Sequence, residues 1–204
     1  MKKLAIAAVA FLAAATVSYG AIGGSKHDFH DGTMSDATNN FGTRICGPCH
    51  VPHNSAKTSP PLWDHAETAE GSYTYYNLPG DKNADPTALD SYSKLCMSCH
   101  DGTVNMDAYN GSTGTATEKM TGSALVGIDI SNDHPLNVNL ESVDGTYYTG
   151  YKAPGAAIIV AGSLSTVSCA SCHDPHNGTA AAANGNMLRA SLTGSALCLE
   201  CHDK

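Results

Sequence analysis

The chain has 204 residues, with 11 basic and 19 acidic side chains, ten histidines and a formal net charge of −8. An acidic balance of this size disfavours nucleic acid and anionic lipid surfaces as partners. Leu, Ile, Val and Phe together supply only 33 of the 204 residues, under the roughly 20 per cent below which a charged chain struggles to build its own interior. Side chains alone are therefore not expected to offset the conformational entropy of an ordered fold of this length.

Residues 1–20 have the layout of a secretory signal. Lys2 and Lys3 precede an apolar stretch from Leu4 to Val17, and Ser18-Tyr19-Gly20 offers small residues for cleavage before Ala21. No cysteine follows that point to carry a lipid, and no later apolar run is long enough to span a bilayer. The expectation is an exported chain, periplasmic or extracellular, with the extracellular side favoured. Loss of Lys2 and Lys3 leaves nine basic against 19 acidic side chains, an excess that serves solubility or steers a cationic partner.

Residues 21–45 are polar and glycine-containing, carry His27 and His30, and read as an extended arm. Cys46-Gly47-Pro48-Cys49-His50 follows and continues as Val51-Pro52-His53-Asn54. Pro60-Pro61-Leu62-Trp63-Asp64-His65 is irregular and holds the only tryptophan. Tyr73, Tyr75 and Tyr76 fit either a short strand or packing against a flat apolar group. A short helix is expected from Asp90, carrying Leu95 into Cys96-Met97-Ser98-Cys99-His100. Residues 102–123 read as loop and lead to Asn132-Asp133-His134-Pro135-Leu136. A small hairpin is expected between Gly145 and Leu164, around the Ala153-Pro154-Gly155 turn. Cys169-Ala170-Ser171-Cys172-His173 continues as Asp174-Pro175-His176-Asn177, and an alanine-rich loop runs through Met187-Leu188-Arg189 to Cys198-Leu199-Glu200-Cys201-His202.

Cys-x-x-Cys-His thus occurs four times and uses all eight cysteines. A redox dithiol or a zinc site uses paired cysteines, yet neither requires a histidine directly after the second. Covalent attachment of c-type haem does: the two thiols form thioethers with the vinyl groups and the adjacent histidine ligates the iron. The expectation is four haem c groups on Cys46/Cys49, Cys96/Cys99, Cys169/Cys172 and Cys198/Cys201, with His50, His100, His173 and His202 as proximal ligands. The porphyrins would then supply the interior that the side chains lack.

The motifs alternate between two types. The first and third share C-x-x-C-H-x-P-H-N, and the second and fourth share L-C-x-x-C-H-D. This reads as a single tetrahaem domain over 21–204 built from two-haem modules at about 21–110 and 125–204. The candidate distal ligands are His53, His134, His176, His27 and His65, with His30 ranked behind them. In the second module only His134 and His176 are available; by correspondence His53 matches His176, His27 or His30 matches His134, and His65 has no counterpart. If the proximal histidine begins a helical turn, a histidine three residues on lies on nearly the same face and is expected to ligate the partner haem of a closely stacked pair. Met34, Met106, Met120 and Met187 offer the competing chemistry, which the supply of histidine makes unnecessary; bis-histidine iron has the lower potential of the two.

The segments ICGPCHVPHN, PPLWDH, LCMSCHDGTV, NDHPL, VSCASCHDPHN and LCLECH resemble the doubled-CXXCH multihaem cytochromes of metal-reducing bacteria, and among them the OmcE-type tetrahaem cytochromes. That resemblance implies a mostly irregular, haem-cored fold with a few short helices, bis-histidine haems in one stack, and copies joined head to tail in an extracellular filament, with one distal histidine donated to the next copy. Electron transfer to and from redox partners follows as the expected, non-enzymatic function. A discrete periplasmic shuttle is the alternative. A multihaem reductase is a third reading, which needs an open iron and a cationic pocket; beyond residues 1–20 the cations are Arg44, Arg189 and seven lysines.

Overall fold

The computed structural model describes residues 22–23, 25–29, 45–53, 55, 62–68, 73–76, 89–114, 119–142, 144–156, 158, 166–176 and 187–204. The signal segment, His30, Met34, Arg44 and residues 159–165, where part of the expected hairpin falls, lie outside that set. Among the described residues no helix is long and apolar enough to cross a membrane.

The main regular element is helix α1, Ser91–His100. Asp90 caps it: its Oδ1 accepts from the amides of Tyr92 at 2.9 Å and Ser93 at 3.0 Å, meeting two of the donors a helix start leaves open. The helix carries Cys96, Cys99 and His100 at positions i, i+3 and i+4. That spacing puts both thiols and the imidazole on one face. An adjoining face buries Met97 with Leu89 and Ile130, where Tyr73, Tyr75 and Leu136 complete a small apolar cluster. Asp90→Ala is expected to lower the stability of the haem-loaded protein by about 1 kcal/mol, measured as a shift in denaturant midpoint.

Helix α2 is a single turn, Cys169–Cys172, opened by a Ser168/Ser171 capping box. It packs on α1: the Cys169 amide donates to Ser93 Oγ at 3.0 Å, and Ser93 is fully buried. Strands β1 (Val138–Asn139) and β2 (Thr166–Val167) pair antiparallel, Val138 opposite Val167. Within the stretch expected to form a hairpin, Tyr151 pairs with His202 and Tyr147 with Glu141, each by one bridge. Short 3-10 turns at Gly122–Ala124, Thr193–Ser195 and Cys198–Glu200 complete the order.

An internal correspondence runs deeper than the motifs. In the first module His50 bridges to Trp63, the Val51 amide donates to Leu62 O at 3.1 Å and the Asp64 amide to Cys49 O at 3.0 Å. In the second, His173 bridges to Leu188, the Asp174 amide donates to Met187 O at 2.8 Å and the Arg189 amide to Cys172 O at 2.9 Å. Leu62 and Met187 occupy the same place and share a left-handed backbone, φ 61° and 56°. A non-glycine residue in that region is strained. Its repetition at both sites marks a turn that each module uses to lay a return segment beside its first motif.

The interior mixes apolar and polar groups. Beside the apolar cluster, the described residues bury Ala108, Tyr109, Val138, Leu140, Val167, Met187 and Leu188, and with them Asp28, His65, Ser93, Ser98, Asp101, Ser168 and Ser171.

Candidate haem sites

Each motif closes on itself through one helical turn. The histidine amide donates to the carbonyl of the first cysteine at 2.9 Å in the first motif, 3.0 Å in the third and 2.9 Å in the fourth. The second is the last turn and a half of α1. All eight cysteines are unbridged.

The thiols lie close to one another from motif to motif. Cys96 and Cys169 share a hydrogen bond, which together with burial pushes the Cys96 thiol well up and, against the opposing effect of burial, draws the Cys169 thiol down. Burial raises Cys99 to about 12, and the nearby Cys49 adds to the shift. Burial, Cys169 and then Cys198 raise Cys172; burial and then Cys172 raise Cys201. The second and third motifs meet at the Cys96–Cys169 hydrogen bond, and the first lies within electrostatic reach of the second and the third of the fourth.

Among the described residues, the motif histidines His50, His100 and His202 each face a second imidazole. His50 and His176 have ring centres 5.9 Å apart, His27 and His100 6.0 Å, and His134 and His202 6.3 Å. Two imidazoles on opposite sides of one metal, each nitrogen about 2 Å from it, have centres roughly 6 Å apart. The pairs therefore have the separation that a shared iron requires. Burial, with repulsion from His100, His173 and His176, pulls His27 down to about 4, so it stands as the neutral imidazole that a metal takes.

These positions separate the candidates. His27 and His134 occupy matching places, each upstream of its module and each facing the L-C-x-x-C-H-D type of motif. His176 reaches His50 in the other module, not a partner within its own. The reason is local: His173 ends α2 with an extended backbone, φ −109° and ψ 144°, so no helical turn carries His176 onto the face of its own motif. His53 is exposed. His65 is 3% exposed, with Nδ1 2.8 Å from Ala66 O, Nε2 3.2 Å from Met106 O and Nε2 3.4 Å from Cys99 Sγ. A neutral ring carries a single N–H, so one nitrogen donates to a backbone carbonyl and the other does not.

The surroundings also fit a porphyrin. Trp63 stands edge-on to His50 at 6.0 Å, and its buried Nε1 has no hydrogen-bond partner; a propionate would satisfy it. Beside His100, Leu125, Val126 and Ile128 are 43%, 44% and 40% exposed, an apolar run suited to a flat ring. The same segment clasps His100: Nδ1 lies 2.8 Å from Ala124 O, and His100 O accepts from Val126 and Gly127. Nothing in the sequence of residues 122–128 points to this, because the contact is between backbone and ring.

A family model described as the doubled CXXCH motif matches residues 162–204, which hold the third and fourth motifs. This is the haem-binding signature of c-type cytochromes. The CXXCH motifs thus indicate covalently bound haem c, and an electron-transfer role is the common use of such a domain. Comparison with curated proteins gives no match.

Proposed function

We propose that the chain is a tetrahaem cytochrome with bis-histidine iron, passing electrons along one row of sites and serving as the subunit of an extracellular filament. The observation that carries the reading is the set of three imidazole pairs spaced 5.9 to 6.3 Å, each containing the histidine of a motif. When bound, the haem iron supplies a one-electron couple; the protein sets its ligands, spacing and solvent exposure.

The eight thiols hold the row in sequence order. Cys49 beside Cys99, Cys96 against Cys169, and Cys172 beside Cys198 and Cys201 order the attachment points first, second, third, fourth. His27, His176 and His134 complete the second, first and fourth sites. The third is left to His53 or to His30. Cys46 and Cys198, at the two ends of the row, are the exposed cysteines of the eight. Exposed terminal sites suit exchange with a donor or acceptor, and they suit a head-to-tail contact between copies, which gives an open filament when its rotation does not close. Exposed His53 is then the ring placed for donation to a neighbouring copy. A discrete shuttle would use the same two ends for diffusing partners.

Intact mass of the exported protein is expected to exceed the processed chain by four haems, and electron microscopy of secreted material is expected to show filaments. Fewer haems would overturn the tetrahaem reading. Isolated particles at high concentration, with four haems present, would overturn the filament and leave the shuttle.

A further inference from the structure

The second and fourth motifs share L-C-x-x-C-H-D, yet the aspartate that ends each has a different fate. Asp101 is 4% exposed and fully engaged. Its Oδ1 accepts from the Thr103 amide at 2.7 Å and Thr103 Oγ1 at 2.9 Å, and its Oδ2 from Tyr73 Oη at 2.7 Å and from Thr68 Oγ1. Burial above all, opposed by Thr68 and reinforced by Asp101, holds the Tyr73 hydroxyl protonated as a donor. Every donor in that set is neutral. Asp203, in the corresponding place, is exposed, and its amide donates to Gly150 O at 3.0 Å.

The histidines differ in the same sense. The His100 ring donates to Ala124 O at 2.8 Å, a contact that makes a histidine a stronger electron donor to its metal. The His202 ring packs instead on Tyr151 at 5.2 Å and on His134, with Lys204 acting on it and Lys152 acting on the neighbouring Cys201. A buried negative charge and a basic ligand favour ferric iron and lower the potential; nearby cations favour ferrous iron and raise it.

We infer that Asp101 sets the second haem site below the fourth in reduction potential, so that twin modules carry unequal sites and an electron is driven from the second toward the fourth. Asp101 acts as a tuning residue through its charge, held at one position by Thr68, Tyr73 and Thr103. Burial by itself favours the less charged ferrous state, but an uncompensated unit charge acts the other way and is little screened in the interior. The inference rests on haem c being bound at Cys96/Cys99 and at Cys198/Cys201.

The test is a site-resolved potentiometric titration of the haem-loaded protein, with haem methyl resonances followed at graded potentials. Asp101→Asn is expected to raise the lowest couple: a unit charge about 10 Å from iron at an effective dielectric near 20 changes the ferrous-to-ferric ratio at fixed potential roughly tenfold, about 59 mV. Asp203→Asn is expected to change that ratio less than twofold at any site. Tyr73→Phe removes one donor and leaves the carboxylate charge less offset, so it is expected to move the same couple down. Opposite signs for Asp101→Asn and Tyr73→Phe distinguish charge from loosened packing, which would move both alike. If Asp101→Asn does not accumulate, Tyr73→Phe and Thr68→Val carry the test, since both must lower the couple. Equal effects of Asp101→Asn and Asp203→Asn, a shift of the same sign in Asp101→Asn and Tyr73→Phe, or a couple that fails to fall in Tyr73→Phe or Thr68→Val would overturn the inference. Absence of haem from Cys96/Cys99 in the unsubstituted protein, seen by peptide mass, would overturn the underlying reading instead.

Discussion

Produced without haem attachment, for example with all eight cysteines changed to serine, the chain is expected to show no cooperative thermal transition and a far-ultraviolet spectrum close to that of a disordered chain. Ordering each residue costs on the order of 1–2 kcal/mol of backbone entropy, and buried apolar side chains are the main term that offsets it. The apolar cluster around Met97 has Leu89 and Ile130 as its other buried members. Outside it, buried apolar residues such as Val138, Leu140, Val167 and Leu188 are interspersed with serine, aspartate and histidine, whose hydrogen bonds on exchange with water each contribute only about 1 kcal/mol. The two-residue strands and one-turn α2 cannot stand alone. Covalently attached porphyrins, laid against apolar runs such as Leu125, Val126 and Ile128 beside His100, would supply the missing apolar area. Circular dichroism and calorimetry on the apo and haem-loaded chains make the comparison. A cooperative melt of the apo chain would show that the side-chain core suffices.

What the sequence disclosed follows from how local each feature is. The C-x-x-C-H turn is complete within five residues, so its spacing alone places two thiols and an imidazole on one face. The start of α1 was equally legible, because Asp90 caps the amides two and three residues ahead. Features that depend on distant segments were not. Leu62 and Met187 take a left-handed backbone that their residue types disfavour, so no turn signature announces the return segments they create. The helical-turn argument misdirected His176, because Asp174-Pro175 follows an extended His173 and turns the chain toward the other module. Asp101 and Asp203 have the same neighbours in sequence and opposite environments in space, since the segments bearing Thr68 and Tyr73 cover only the first. Counting imidazoles places His65 among the candidate ligands; its burial beside Ala66 O, Met106 O and Cys99 Sγ depends on segments far along the chain and has no local signature.

His176→Ala and His134→Ala are each expected to convert one haem of four from low spin to high spin, whereas His65→Ala is expected to convert none. The first two remove the ring that faces His50 at 5.9 Å and His202 at 6.3 Å; each iron then keeps one histidine and takes water or nothing on the open side. His65 is buried, places Nδ1 2.8 Å from Ala66 O and pairs with no motif histidine among the described residues, so removing it is expected to open no coordination position. Its loss instead removes the ring packed between the segment at 63–68 and the loop at 105–108 and leaves a carbonyl group without its donor, a cost of about 1–3 kcal/mol. Electron paramagnetic resonance reads the spin states and denaturant melts read the stability. A high-spin signal in His65→Ala, with His176→Ala unchanged, would reverse the assignment and make the buried ring the ligand. The expected pattern, spin change without much loss of stability at His134 and loss of stability without spin change at His65, separates ligation from packing within one set of variants.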